Sequence, residues 1–235
     1  MKSDAIYVNG IKVYPFTSEE ELLESVNRQK GILIAINAEK IMNASEEIRT
    51  IISQNIGYCD GVGTVIALKK KGYNKVIKIA GCELWLRIIK EYYKEGKTFY
   101  LIGGKQEVIE RTVAKLKKEF LGIQIVNYRN GYIKTKEERQ VLIQDVIDKR
   151  PDVVFVAMGS PKQELLMQEM LKRHLAIYQG LGGSFDVYTG LVKRAPKFFQ
   201  KLGLEWFYRL LCQPKRIARQ WVYVKFMFYC YMNKL

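Results

Sequence analysis

The sequence is poor in the side chains from which many catalytic and metal centres are built. Histidine occurs once, as His174, so Ser-His nucleophile chemistry and histidine-rich metal sites both lack their parts. The four cysteines, Cys59, Cys82, Cys212 and Cys230, form no C-x-x-C pair and keep no regular spacing. That excludes the usual zinc and disulfide frameworks and predicts reduced thiols. No D-x-D pair of acids is present to hold a divalent cation. G-x-G-x-x-G is missing too: in its nearest approach, Gly180-Leu181-Gly182-Gly183-Ser184, Phe185 stands at the third glycine position, which disfavours a dinucleotide dehydrogenase. No apolar leader opens the chain, and no run reaches the roughly 18 apolar residues of a spanning helix. The longest, Trp221 to Tyr231, is interrupted by Lys225. It could lie in a membrane interface but not cross it. A cytoplasmic chain, peripheral on the inner face of the membrane, is expected.

Acids are scarce in one region above all. From Gly190 onward, Glu205 is the single acid against ten lysines and arginines, which carry +9 of the chain's +15 net charge. The same stretch holds Trp206, Phe207, Tyr208, Trp221, Tyr223, Phe226, Phe228 and Tyr229. Cations among large aromatics suit an anionic surface with an apolar layer beneath, such as a bilayer or a lipid diphosphate embedded in one. Nucleic acid would also attract a basic chain. The preceding residues mix acids well with bases, however, and the basic end is aromatic where a solvated tail would be Ser-, Gly- and Pro-rich, so no nucleic-acid partner is expected.

Over the rest of the 235 residues, apolar runs alternate with helical spacing. Asn9-Gly10 between two short β-like runs predicts a hairpin. Strands are expected at Ile32–Ile36, Val76–Ala80, Thr98–Ile102, Ile123–Asn127, Asp152–Ala157 and Leu175–Gln179. Helices are expected at Glu19–Gln29, Ala38–Gln54, after Asp60-Gly61, and at Glu83–Lys94, Glu107–Phe120 and Lys136–Lys149, with Pro161 in the first turn of another. This alternation predicts an α/β fold: a Rossmann-like, mostly parallel sheet with helices on both faces over 1–192, and a basic, aromatic, helical appendage over 193–235. Ligands of such sheets sit beyond the carboxyl ends of the strands. That directs attention to the loops after Asn37, Gly103, Gly159 and Gln179.

Several residues in those loops have two readings. Asp60, in Asp60-Gly61-Val62-Gly63, is either a helix cap or a general base at a cleft edge. Gly103-Gly104 and Gly180–Ser184 are either plain turns or places where backbone N–H groups approach a phosphate. Lys162 and Gln163 either begin a capped helix or reach over the cleft. Arg209, Arg216 and Arg219, spaced seven and three apart, share one face if helical. Their planar forks suit phosphate oxygens, unless they form a solvated face against lipid head groups.

Taken together, Asn37-Ala38-Glu39, Asp60-Gly61-x-Gly63, Gly159-Ser160-Pro161-Lys162-Gln163-Glu164, Gly182-Gly183-Ser184-Phe185-Asp186, Arg194-Ala195-Pro196 and Lys201-Leu202-Gly203-Leu204-Glu205-Trp206-x-Tyr208-Arg209-Leu210 resemble the WecG/TagA/CpsF glycosyltransferases, over nearly the whole chain. The resemblance implies an inverting bacterial enzyme that moves a sugar from a UDP-sugar to an undecaprenyl-diphosphate-linked acceptor in cell-surface polysaccharide synthesis. N-acetylmannosamine or a related hexose or uronic acid is the sugar implied. It makes Asp60 the catalytic base. Arg209, Arg216 and Arg219 become the appendage arginines that cover the site and meet the diphosphate, with no metal or other cofactor. The substrate-binding set expected with them is Asn37, Gly103, Tyr132, Lys162, Gln163, Gly182, Gly183, Asp186 and Arg194. The implied partners are the UDP-sugar, the polyprenyl-linked glycan acceptor and the inner membrane leaflet; a homo-oligomer is compatible. Departures from the better-known members fall at Ala35-Ile36, where Thr-Pro is usual, and at Cys59, Lys78 and Glu83. The missing threonine hydroxyl bears on the choice of sugar more than on the reaction. The alternative of a different class is a non-catalytic basic module for anionic lipid or nucleic acid.

Overall fold

The computed structural model describes residues 4–193, 195–196, 198–199, 208 and 217–235, with the backbone alone at 217–220. Strands β1 (Ile6–Val8) and β2 (Ile11–Val13) form an antiparallel hairpin. At its turn Asn9 and Gly10 both take positive φ, 48° and 73°, as a tight two-residue hairpin turn demands.

Six parallel strands make the main sheet: β3 (Gly31–Ile36), β4 (Ile56–Cys59), β5 (Thr98–Gly103), β6 (Gln124–Arg129), β7 (Val153–Ala157) and β8 (Ile177–Gly180). Their spatial order is β4-β3-β8-β7-β5-β6. Side chains alternate along each strand, so one strand feeds two cores. Ile32, Ile34 and Ile36 of β3 and Val154 and Val156 of β7 enter the first core. There they meet α2 (Ala38–Asn43), α3 (Glu46–Gln54), α4 (Val62–Lys70), α7 (Lys136–Lys149) and α8 (Lys162–Leu171). Leu33, Val153 and Phe155 enter the second, against α1 (Glu19–Arg28), α5 (Gly81–Lys94), α6 (Gln106–Glu119) and α9 (Ser184–Tyr188). The expected doubly covered, Rossmann-like sheet is therefore present, and its main ladder is wholly parallel.

Three local expectations are corrected. Ala38–Gln54 is two helices, because Ser45 caps α3 through Oγ, accepting from Ile48 N at 3.4 Å. Val76–Ala80 is extended but joins no ladder; Ile77 N donates to Phe16 O and Ile79 N to Cys59 O. The strand missing from the sequence reading is β4. It is only four residues long and contains Gly57, where a Cβ would stand 2.6 Å from Lys12 O.

The basic end supplies α10 (Ile217–Tyr231). It does more than lie on the surface, because Phe226 is fully buried and joins the first core together with Cys230. Gly63 makes room for it: a Cβ there would meet the Phe226 ring at 3.0 Å and the Tyr223 ring at 3.1 Å. Lys70 Nζ of α4 donates to Cys230 O and Tyr231 O, both at 3.1 Å, closing the end of α10. The outer face keeps Trp221, Val224, Phe228 and Tyr231 exposed, spaced three and four apart along one stripe, and Met232 just past the helix end is exposed as well. Among the described residues, no helix is long and apolar enough to cross a membrane.

Candidate active site

Six parallel strands end on one edge, and the loops that leave them carry most of the residues singled out in the sequence. Asn37 follows β3, Asp60 follows β4, and Gly103 closes β5. Tyr132 lies just beyond β6, Lys162 and Gln163 beyond β7, and Gly182, Gly183 and Asp186 beyond β8. Since α2, α4, α6, α8 and α9 start from these loops and α5 starts beside Asp60, the positive ends of several helix dipoles converge there.

Asp60 is held from two directions. Its N–H donates to Ile36 O at 3.1 Å, fixing the loop to the end of β3. Its Oδ1 accepts from Gly81 N at 2.8 Å, satisfying an amide at the open start of α5. Both readings of Asp60 thus have a geometric basis: the carboxylate caps a helix, though α5 and not the α4 that follows it, and it stands half-buried at the strand edge. Asn37 caps α2, with Oδ1 accepting from Lys40 N at 3.0 Å. It adjoins the Asp60 loop, for a Cβ on Gly61 would touch Asn37 Cβ at 3.7 Å.

Beneath Asp60 lies a buried polar floor. Gln179 Nε2 donates to Tyr58 OH and to Gly81 O, each at 3.4 Å, while Gln179 Oε1 is buried with no hydrogen-bond partner. Burial first, then the charge of Asp60, pushes the Tyr58 phenol far above its ordinary value, so it stays a neutral hydroxyl. The same two causes push the Cys59 thiol up to about 12, which removes it as a nucleophile at neutral pH. Gly81 has to be glycine: a Cβ there would lie 2.8 Å from Tyr58 OH and 3.6 Å from Asp60 Oδ1. Ala35 reaches the same point, 3.9 Å from that Cβ position.

A second feature of the edge is a glycine-mediated close packing of the chain at the ends of β5, β6 and β7. Gly103 takes φ +135°, and its added Cβ would strike Ala157 O at 2.3 Å. Gly104 N donates to Ala157 O and Gly131 N to Gly104 O, at 3.1 and 2.9 Å. A Cβ on Gly131 would meet Gly103 Cα at 3.1 Å. The absent side chains thus let three backbone segments pack against one another, and the Gly104 and Gly131 amides are spent on backbone carbonyls.

Gln163 sits between two of the loops. It is buried, its Oε1 accepts from Gly159 N at 3.1 Å and Gly182 N at 2.9 Å, and its Nε2 donates to Glu164 Oε1 at 3.1 Å. These bonds occupy the amide with holding loops together, whereas its neighbour Lys162 is exposed. Asp186 is half-buried; its carbonyl accepts from Val192 N at 3.0 Å, and its Oδ2 would lie 3.8 Å from a Cβ on Gly183.

Tyr132 is 59% exposed. It leaves β6 while Asp60 leaves β4, and these are the two edge strands, so the two loops start five strand spacings, roughly 24 Å, apart. Arg194, Arg209 and Arg216 lie outside the described residues, as does the side chain of Arg219, whose backbone is in the first turn of α10. Among the described residues, no group of three His, Cys, Asp or Glu side chains is placed to hold a metal.

The sequence reading missed Tyr58, Gly81 and Gln179. Only Gln179 left a signal: an amide inside the apolar run from Ala176 to Gly180, which a fully buried strand does not carry without a reason.

Compared with known proteins, residues 6–235 match the model of the glycosyl transferase WecG/TagA/CpsF family.

Proposed function

Since the chain belongs to the WecG/TagA/CpsF family of glycosyltransferases, which serve cell-surface polysaccharide synthesis, we propose that it transfers a sugar from a UDP-sugar, with inversion, to a polyprenyl-diphosphate-linked acceptor at a membrane surface. The observation that carries this reading is the placement of Asp60: half-buried at the carboxyl edge of a parallel sheet, with one oxygen fixed by Gly81 N. A general base needs that combination of access and fixed geometry.

In the proposed step the Asp60 carboxylate takes the proton of the acceptor hydroxyl as that oxygen attacks the anomeric carbon. The bond from that carbon to the UDP oxygen breaks, and UDP leaves with the electron pair. The converging helix starts favour an anion at this edge, where Gly103 is counted among the donor-binding residues. Arg209, Arg216 and Arg219 neutralise the leaving diphosphate, each well-placed donor contributing roughly 3 kcal/mol in a desolvated cleft. No metal is required in this scheme. N-acetylmannosamine, a related hexose or a uronic acid is the sugar moved; Ala35, which shares the floor with Tyr58 and Gly81, is placed to influence which. Asn37, Lys162, Gly182, Gly183, Asp186, Tyr132 and Arg194 complete the substrate-binding set, and Gln163 serves it by holding the loops.

The exposed stripe Trp221, Val224, Phe228 and Tyr231 supports the membrane part of the reading. It lies on the side of α10 turned away from the core, so a bilayer can take it up without undocking the helix. The deciding experiment is turnover with a panel of UDP-sugars and a short-chain polyprenyl-diphosphate-linked N-acetylglucosamine acceptor, without metal and with magnesium. Metal-independent product that disappears in Asp60→Asn is expected. No product from any donor, with lipid binding unaffected by Asp60→Asn, would leave a non-catalytic lipid-binding module as the reading.

A further inference from the structure

Behind the glycine loops lies a charged pair that the transfer step does not use. Lys40 Nζ and Glu164 Oε1 are 3.2 Å apart, their side chains only 10% and 1% exposed. The same Glu164 oxygen accepts from Gln163 Nε2 at 3.1 Å, while Glu164 Oε2 is buried without a hydrogen-bond partner. The carboxylate is therefore compensated on one oxygen only, by the amide and the ammonium. A buried charge so sparingly compensated depends strongly on its one counter-charge.

The pair sits at a junction. Lys40 belongs to α2, the helix that Asn37 caps at the end of β3. Glu164 belongs to α8 and orients the Gln163 amide. With Nε2 drawn to the carboxylate, Oε1 is turned to the two backbone donors, Gly159 N after β7 and Gly182 N after β8. Gly180 lets the amide lie this close, since a Cβ there would stand 2.5 Å from Gln163 Nε2. A continuous polar path thus joins three loops of the edge: Lys40, Glu164, Gln163, then Gly159 and Gly182.

We propose that Lys40 and Glu164 are positioning residues. Their buried ion pair locks the Gln163 amide and so holds the loops after β7 and β8 in the arrangement that receives the donor. The last clause rests on the functional reading given above; the locking itself does not.

The test is amide hydrogen exchange on the full chain, comparing wild type with Glu164→Gln, Lys40→Met and the double variant. Exchange at Gly159 and at Gly182 should quicken together, by roughly fivefold or more, while Gly103, Gly104 and Gly131 on the neighbouring strands keep the wild-type rate. The double variant should be no worse than Lys40→Met alone, because the two residues act as one unit. In turnover assays the donor KM should rise while the acceptor KM stays within about twofold, a split that general loss of structure does not produce. Wild-type exchange at both glycines in Glu164→Gln overturns the proposal, as does equal acceleration at every strand end or an unmoved donor KM. Should Lys40→Met fail to fold, Glu164→Gln and the double variant carry the same comparison. A wild type inactive toward all UDP-sugars would remove the functional reading in the control arm alone, and the exchange data would still decide whether the pair locks the loops.

Discussion

Gly81 N and Asp60 Oδ1, 21 residues apart in sequence, share a 2.8 Å hydrogen bond that makes the proposed base a cap of α5. Asparagine can keep that bond but cannot take a proton. Asp60→Asn should therefore lower kcat by about 10²–10⁴ and leave stability within about 1 kcal/mol of wild type. Asp60→Ala should lose the same activity and about 1 kcal/mol of stability as well, the usual worth of a cap. Urea titrations beside single-turnover rates separate the two effects; equal stability of the two variants would show that the cap contributes nothing.

Gly103 stands where β5 meets β7 too closely for any side chain. Gly103→Ala places a methyl 2.3 Å from Ala157 O at a φ of +135°, so both a steric clash and a strained backbone oppose it. A loss of about 2–4 kcal/mol is expected, read as a lowered urea midpoint with unchanged slope. An unshifted midpoint would mean that the strand ends can part at little cost.

The two faces of α10 should respond differently. Phe226→Ala empties a fully buried site and should cost about 3 kcal/mol. Trp221→Ser with Phe228→Ser alters side chains that are 70% and 58% exposed. It should leave the melting temperature unchanged and weaken binding to anionic vesicles by about tenfold or more. A chain cut after Lys193 should be less stable than the whole, because it bares the surface of α2 and α4 that α10 covers. Vesicle sedimentation and thermal melts on the same samples check all three.

Acid should weaken the opposite edge of the sheet. Burial resists ionisation of Asp152, but the Thr98 N–H and hydroxyl, with Lys97 and Lys30, outweigh it and hold its carboxyl below the ordinary value. A depressed value in the folded state stabilises above the ordinary carboxylate range of about 4 and is lost as pH falls through the folded value. Asp152→Asn should thus be less stable than wild type near neutrality, and the gap should close below about pH 4. A gap constant with pH would assign the loss to geometry instead of charge.

Much of the fold was legible because its signals are local. The apolar period of Lys136–Lys149 gives α7 its observed limits, and Asn9-Gly10 marks its hairpin. Strand β4 was not legible: Ile56–Cys59 is short, and its reason for being a strand is pairing with β3, which no local pattern records. The converse holds at Val76–Ala80, whose β-like composition finds partners outside any ladder. The edge that gathers Asn37, Asp60, Gly103 and Gln163 follows from parallel strands alone. The floor of Tyr58, Gln179 and Gly81 does not, for it assembles from three distant segments. Nor could the sequence show that Phe226 points inward, since both faces of α10 are apolar.

The order β4-β3-β8-β7-β5-β6 also sets a timetable for synthesis. Strands β3 and β4 can pair as soon as both have left the ribosome, and β5, β6 and β7 can pair among themselves. The two halves share no ladder until β8, at Ile177–Gly180, slides between β3 and β7. Until then, the inner edges of β3 and β7, among the most apolar strands of the chain, are open to other partners. The nascent chain is therefore most exposed to mispairing over the interval between the emergence of Ala157 and the emergence of Gly180 from the ribosome.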